Sequence, residues 1–270
     1  MCSENKSFIL GIGHQKCGTT WLHKYLSQSS NFDKGIAKEY HVWDVLDIDF
    51  LRHRKISPNI FQRLRKNRTY LLHQMQTSPD FYFNYFDSLF SESTNITADI
   101  TPSYSGLSAD RLSFIKKGFH ERGIVIKPII LIREPLSRIK SAVRSNLDKK
   151  NYNEGIKLNE DNFDNAVSQY YNSDHCTMRT NYKNTIENAF EAFGTDNVYV
   201  GILENLFDKN EIERMSNFLG VPADVNFSKV RVNETKGKPT DTKIDAIVKD
   251  YYSDVYEFCH NHFPITKELW

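Results

Sequence analysis

A lysine, three glycines and two threonines fall within ten residues near the start of the chain. Residues 11–20 read Gly-Ile-Gly-His-Gln-Lys-Cys-Gly-Thr-Thr and follow an apolar run of strand length. Trp21, Leu22, Tyr25 and Leu26 come next at helical spacing. A strand, a glycine-rich turn and a helix in that order offer backbone N–H groups and a helix N-terminus to an anion. A nucleoside-triphosphate loop ends in Gly-Lys-Ser/Thr. Here that place holds Gly18-Thr19-Thr20, and the lysine comes earlier, at Lys16. The pattern suits a phosphate-type ligand and departs from ATP or GTP chemistry.

A second anion-binding pair lies further on. Arg133 closes an apolar run, and Ser141 follows eight residues later. A guanidinium can fork two phosphate oxygens and a helix-borne hydroxyl can add a third donor. Taken alone, Arg133 could equally be an exposed charge at a strand end. A ligand with two separate phosphates would use both sites.

These residues need a scaffold. Residues 127–133 are apolar enough for a strand buried on both faces, and Pro135 suits the first turn of a helix. Further strands are expected at 197–203 and 95–100, with a weaker one at 36–43. Helical patterns cover about 108–122, 135–149, 175–193, 208–219 and 241–262. Ser78-Pro79-Asp80 reads as a helix start, and most rings among Phe81, Tyr82, Phe83, Tyr85 and Phe86 belong in a core. Alternating strands and helices predict an α/β fold with a central parallel sheet flanked by helices, in a single domain over 1–270. In such sheets ligands bind at the carboxyl ends of the strands. The glycine-rich loop, Arg133 and Thr101 all lie just past strand ends and could share one cleft.

Composition narrows the function classes. With 35 Lys+Arg against 34 Asp+Glu, the near-zero net charge argues against a general nucleic-acid binder. The four cysteines, Cys2, Cys17, Cys176 and Cys259, show no metal-ligand spacing, so no metal is expected; Cys176 and Cys259 could pair, which spacing does not decide. The first residues run straight into a strand, which leaves no room for a signal peptide or anchor, and no apolar run has membrane-spanning length. A cytoplasmic location is the expectation. Residues 52–68 carry seven Lys and Arg, and no acid occurs from Arg52 through Pro79. That stretch is either a solvated face or an arm that steers an anionic acceptor.

The loop Gly13, His14, Gln15, Lys16, Cys17, Gly18, Thr19 and Thr20, followed by Arg133 with Ser141, resembles the sulfotransferases that use 3′-phosphoadenosine 5′-phosphosulfate. The resemblance extends over nearly the whole chain. It implies a P-loop-like fold in which the early loop binds the phosphosulfate and Arg133 and Ser141 bind the 3′-phosphate. Adenosine 3′,5′-bisphosphate would be the product. Lys38-Glu39-Tyr40-His41-Val42-Trp43-Asp44 is similar to a segment of the heparan-sulfate branch, where the glutamate is the catalytic base. Asp99-Ile100-Thr101-Pro102-Ser103-Tyr104 resembles another, but Ile100 stands where that branch often has a lysine. Tyr182 resembles a cofactor-side helix start, and Lys236-Gly237-Lys238 a loop that closes over the cofactor. The resemblance implies a small-molecule or saccharide acceptor, met by Lys38, His41, Asp44 and Thr101. Lys16 would stabilise the leaving phosphate and Glu39 would act as base. His41 could be a second base, a hydrogen bond to the acceptor, or a core histidine. Asp44 could orient it or cap a turn. Cys17 reads as loop packing. A P-loop small-molecule kinase and a non-catalytic nucleotide-binding module are the competing readings. The first lacks its Gly-Lys-Thr and has no aspartate after strand 128–133 for magnesium.

Overall fold

The computed structural model describes residues 6–230 and 241–270. Five strands form one sheet: β1 (Ser7–Gly11), β2 (Phe32–Asp33), β3 (Ile96–Ile100), β4 (Val125–Ile132) and β5 (Tyr199–Ile202). All neighbouring pairs are parallel, in the order β2-β3-β1-β4-β5. Every residue of β1 is buried. Its alternating side chains divide between two cores, as strand geometry requires. Phe8 and Leu10 join Trp43, Phe86, Phe119, Ile130 and Ile132 on one face. Ile9 joins Trp21, Leu22, Ile100, Ile129 and Leu131 on the other. This two-sided burial explains why the strands read as unbroken apolar runs.

The helices are α1 (Thr19–Leu26), α2 (Trp43–Asp47), α3 (Ile60–Leu64), α4 (Arg68–Thr77), α5 (Pro79–Asp87), α6 (Ala109–His120), α7 (Pro135–Asp148) and α8 (Phe163–Tyr170). They continue as α9 (Asp174–Thr180), α10 (Tyr182–Phe193), α11 (Lys209–Leu219), α12 (Thr242–Tyr251), α13 (Ser253–His262) and α14 (Thr266–Leu269). Ser78 caps α5 as expected, and Tyr82, Phe83 and Phe86 are buried in an aromatic cluster with Phe8 and Phe119. Among the described residues no helix is long and apolar enough to cross a membrane. Cys17, Cys176 and Cys259 are buried free thiols.

Three expectations need correction. Residues 36–43 form no strand; the edge strand is Phe32–Asp33. One backbone bond ties this segment to β3, from Ile100 N to Lys38 O (2.9 Å). The N–H groups of Tyr40 and His41 go instead to the Thr101 hydroxyl, and His41 takes a φ of 50° that no strand tolerates. The helical pattern 175–193 is two helices, because the Asn181 backbone leaves the helix and its side chain caps α10 at Asn184 N. The pattern 241–262 likewise breaks at Tyr252, whose hydroxyl donates to the Tyr171 carbonyl (2.5 Å).

Candidate active site

β1 is the middle strand, so the loop after it emerges between β3 and β4, where chain connections diverge and open a crevice. The loop first follows β4, with Ile12 N bonded to Ile129 O (2.9 Å) and His14 N to Leu131 O (2.8 Å). Two glycines then let it turn. Gly13 has a φ of 115° and a Cβ there would lie 2.9 Å from Ser105 Cβ; Gly18 has a φ of 94° and its Cβ would lie 2.9 Å from Leu203 Cδ1. Gly18 opens α1 without a side-chain cap, which leaves the first-turn N–H groups for a ligand.

The loop borders a cleft of about 520 Å³. Gln15, Lys16, Thr19, Thr20, Lys38, Glu39, His41, Arg133 and Ser141 all line it, so residues distant in sequence converge there. The Lys16 ammonium is pushed below the ordinary lysine range by burial and by Lys149, Arg133 and Arg144 nearby. Arg133 donates weakly to the Lys16 carbonyl (3.4 Å), and a carboxylate neighbour, Glu204, is 4.0 Å away. These cations crowd one another, and an anion between them would relieve the repulsion.

Another wall carries a chain of charged groups that begins beside the loop threonines. Lys38 Nζ bonds Glu39 Oε1 (2.8 Å) and the hydroxyls of Thr19 (3.2 Å) and Thr20 (3.3 Å). Glu39 Oε2 lies 3.3 Å from His41 Nε2, and His41 Nδ1 lies 2.7 Å from Asp44 Oδ2. Asp44 is fully buried and also accepts from Ser103 Oγ (2.5 Å). Thr101 stands behind this wall. Its hydroxyl fixes the 40–41 backbone and donates to Asp99 Oδ1 (2.6 Å). Burial would lower the pKa of His41, but its bonds to Asp44 and Glu39 prevail and raise it to about 9. Burial would raise that of Glu39, but His41 and Lys38 hold it down at about 2. At neutral pH Glu39 is therefore a carboxylate and His41 an imidazolium.

An imidazole NMR titration should therefore find His41 charged at pH 7 and losing its proton at about 9. Asp44→Asn should bring that midpoint down towards 6.5. An unchanged midpoint would show that Asp44 does not govern the histidine. Because the native pKa is raised, the stability that His41 contributes is complete below 6.5 and is lost as pH rises through about 9.

No family model matches the sequence, and no curated protein is significantly similar to it. Solved structures are similar. A sulfotransferase from Alicyclobacillus acidocaldarius superposes with a TM-score of 0.60 at 17% identity, over 96% of each chain. The fold is that of a sulfotransferase. The sulfotransferase domain of the curacin biosynthetic pathway aligns over 94% of this chain and 92% of its own at 18% identity, with a TM-score of 0.49. The sulfotransferase domain of the Synechococcus PCC 7002 olefin synthase aligns over 94% and 90% at 17% identity, with a TM-score of 0.47.

Within this sulfotransferase fold three loop-associated residues turn inward. His14 is fully buried; its Nδ1 lies 3.0 Å from the Arg179 carbonyl and its ring meets Tyr182 edge-on at 4.5 Å. Burial and the Arg138 charge lower its pKa to about 3, so the ring is neutral. Burial pushes the Cys17 thiol up to about 12, which makes it a packing group and not a nucleophile. Tyr182 is buried with its hydroxyl 4.0 Å from Cys17 Sγ. These three support the loop from beneath. Lys236, Gly237 and Lys238 lie outside the described residues. The cleft also includes Arg54, Ser103, Ser145, Lys149 and Arg179, which sequence reasoning did not single out as site residues. Ser145 and Lys149 follow Ser141 by four and eight residues, a helical period that could have found them. Arg179 carries no local signal, because its place depends on a distant partner.

Proposed function

We propose that the protein is a sulfotransferase whose donor is 3′-phosphoadenosine 5′-phosphosulfate and whose acceptor is a hydroxyl or amine on a saccharide or small molecule. The observation that carries this reading is the meeting of the Lys16 loop, the Arg133–Ser141 pair and Glu39 in one cleft. The residues fit such a donor. Lys16, Thr19, Thr20 and the start of α1 would hold its 5′ end, and Arg133 with Ser141 its 3′-phosphate. When bound, the donor supplies the activated sulfuryl group.

Glu39 would take the acceptor's proton. Held at about 2 by its two partners, its carboxylate is ionised but a weak base. Lys38 is shared between Glu39 and the loop threonines, so an anion in the loop competes for its ammonium. Losing Lys38 would raise the basicity of Glu39 when the donor side is filled. Lys16 would offset the charge that grows on the departing phosphate.

Calorimetric titration with adenosine 3′,5′-bisphosphate, AMP and magnesium ATP tests the reading. The bisphosphate should bind most tightly, and Arg133→Ala should weaken it at least about tenfold while changing AMP little, since a charge-assisted pair is worth about 1.5–3 kcal/mol. Tightest binding of magnesium ATP would favour a kinase. Tight bisphosphate binding with no turnover of donor across an acceptor screen would leave a nucleotide-binding module.

A further inference from the structure

Residues 55–68 of the acid-free stretch build a surface that the cleft does not use. Asn59 and Gln62 close a capping box around α3, with Gln62 N bonded to Asn59 Oδ1 (2.9 Å) and Asn59 N to Gln62 Oε1 (2.8 Å). This one-turn helix buries none of its residues. Ile60, Phe61 and Leu64 are 62%, 69% and 74% exposed, and their spacing places them on one side of the turn. Lys55, Arg63, Arg65, Lys66 and Arg68 lie before, among and after them in the chain, all exposed. None of these five cations has an acidic partner among the described residues.

We propose that this segment, residues 55–68, is a docking surface for an anionic lipid bilayer. Both of its properties fit that partner. Exposed large apolar side chains interspersed with lysine and arginine are what an interfacial contact needs: the apolar groups enter the headgroup region and the cations meet anionic lipids. Long cationic side chains can keep their heads at the surface while their stems lie against the apolar groups. A soluble acidic polymer would match the charges and leave Ile60, Phe61 and Leu64 in water. The surface adjoins the cleft. Gln76 on α4 is buried and ties the two, accepting from Ile56 N (2.8 Å) and donating to the His41 carbonyl (2.7 Å). Arg54, just before the segment, is a wall of the cleft. Docking would set the cleft beside the bilayer.

The test is co-sedimentation of the full chain with vesicles of phosphatidylcholine alone or mixed with phosphatidylserine, with chondroitin sulfate as a soluble polyanion. The protein should pellet with the mixed vesicles, weakly or not at all with the neutral ones, and less as salt rises. Phe61→Ser with Leu64→Ser should lower the bound fraction about tenfold or more, and Arg65→Glu with Lys66→Glu should do likewise. Trp emission of a Phe61→Trp variant should shift to the blue with mixed vesicles and stay put with chondroitin sulfate. No pelleting with mixed vesicles would overturn the proposal. So would equal pelleting of the wild type and the double serine variant, which would leave only charge attraction. Self-association through Phe61 and Leu64 without vesicle binding would assign the surface to a second copy of the chain instead.

Discussion

Lys16→Ala should lower turnover about 10²–10³-fold, the usual effect of removing one donor that meets transition-state charge. Affinity for adenosine 3′,5′-bisphosphate should fall much less, because Arg133, Lys149 and Arg144 still surround the loop with positive charge. The loop itself should survive the change. Lys16 already sits at a φ of 70°, where alanine is no worse placed than lysine, and its neighbours Gly13 and Gly18 make the turn. Initial rates with an acceptor, paired with calorimetry on the same preparation, separate the two quantities. Equal losses in rate and affinity would reduce Lys16 to a binding residue.

Glu154→Ala should destabilise the protein by about 3–5 kcal/mol, since it strands a buried guanidinium. Arg179 is almost wholly buried and bonds both oxygens of Glu154, at 2.7 and 2.9 Å, while Asn146 Nδ2 donates to the same carboxylate (3.0 Å). Burial would raise the pKa of Glu154, but Arg179 brings it down to about 2. The thermal midpoint should drop by roughly 10 °C. The effect should reach the cleft as well, because the Arg179 carbonyl holds the His14 ring under the loop. Replacing both partners with apolar residues, Glu154→Leu with Arg179→Met, should recover much of the loss, as no charge then remains unpaired. A double variant as unstable as the single one would mean that packing, not the stranded charge, sets the cost.

The sequence was most readable where local pattern and burial coincide. β1, β4 and α7 are recognisable because strands covered on both faces must be apolar and because Pro135 fits only the first turn of a helix. The convergence of Lys16 and Arg133 followed from placing each past a strand end, and Ser141 from placing it on the helix that Pro135 opens. The segment around Glu39 was misread as a strand because its backbone is held by the Thr101 side chain, which no periodicity reports. Glu39 and His41 meet through a turn at His41, whose φ is 50°. The break at Asn181 is set by a single side-chain bond to Asn184 N, and at Tyr252 the backbone leaves the helix with no side-chain cap, inside an otherwise helical pattern. The role of Arg179 rests on Glu154, 25 residues away, and no local pattern records such a pairing.

α7 also explains why Arg133 and Ser141 are eight residues apart. Ser141, Ser145 and Lys149 come at four-residue intervals and reach the cleft from one helix. Their aim is thus a matter of angular phase, fixed where Pro135 starts the helix. Inserting one residue between Pro135 and Ser141 would rotate all three by about 100° and carry each about 1.5 Å along the axis. The three groups would leave the cleft together, with none of them substituted. An insertion after Lys150 would leave their phase intact. The interval between the arginine and the serine is a rotational setting, and a chain of the same composition with that interval altered by one would present a different face to its ligand.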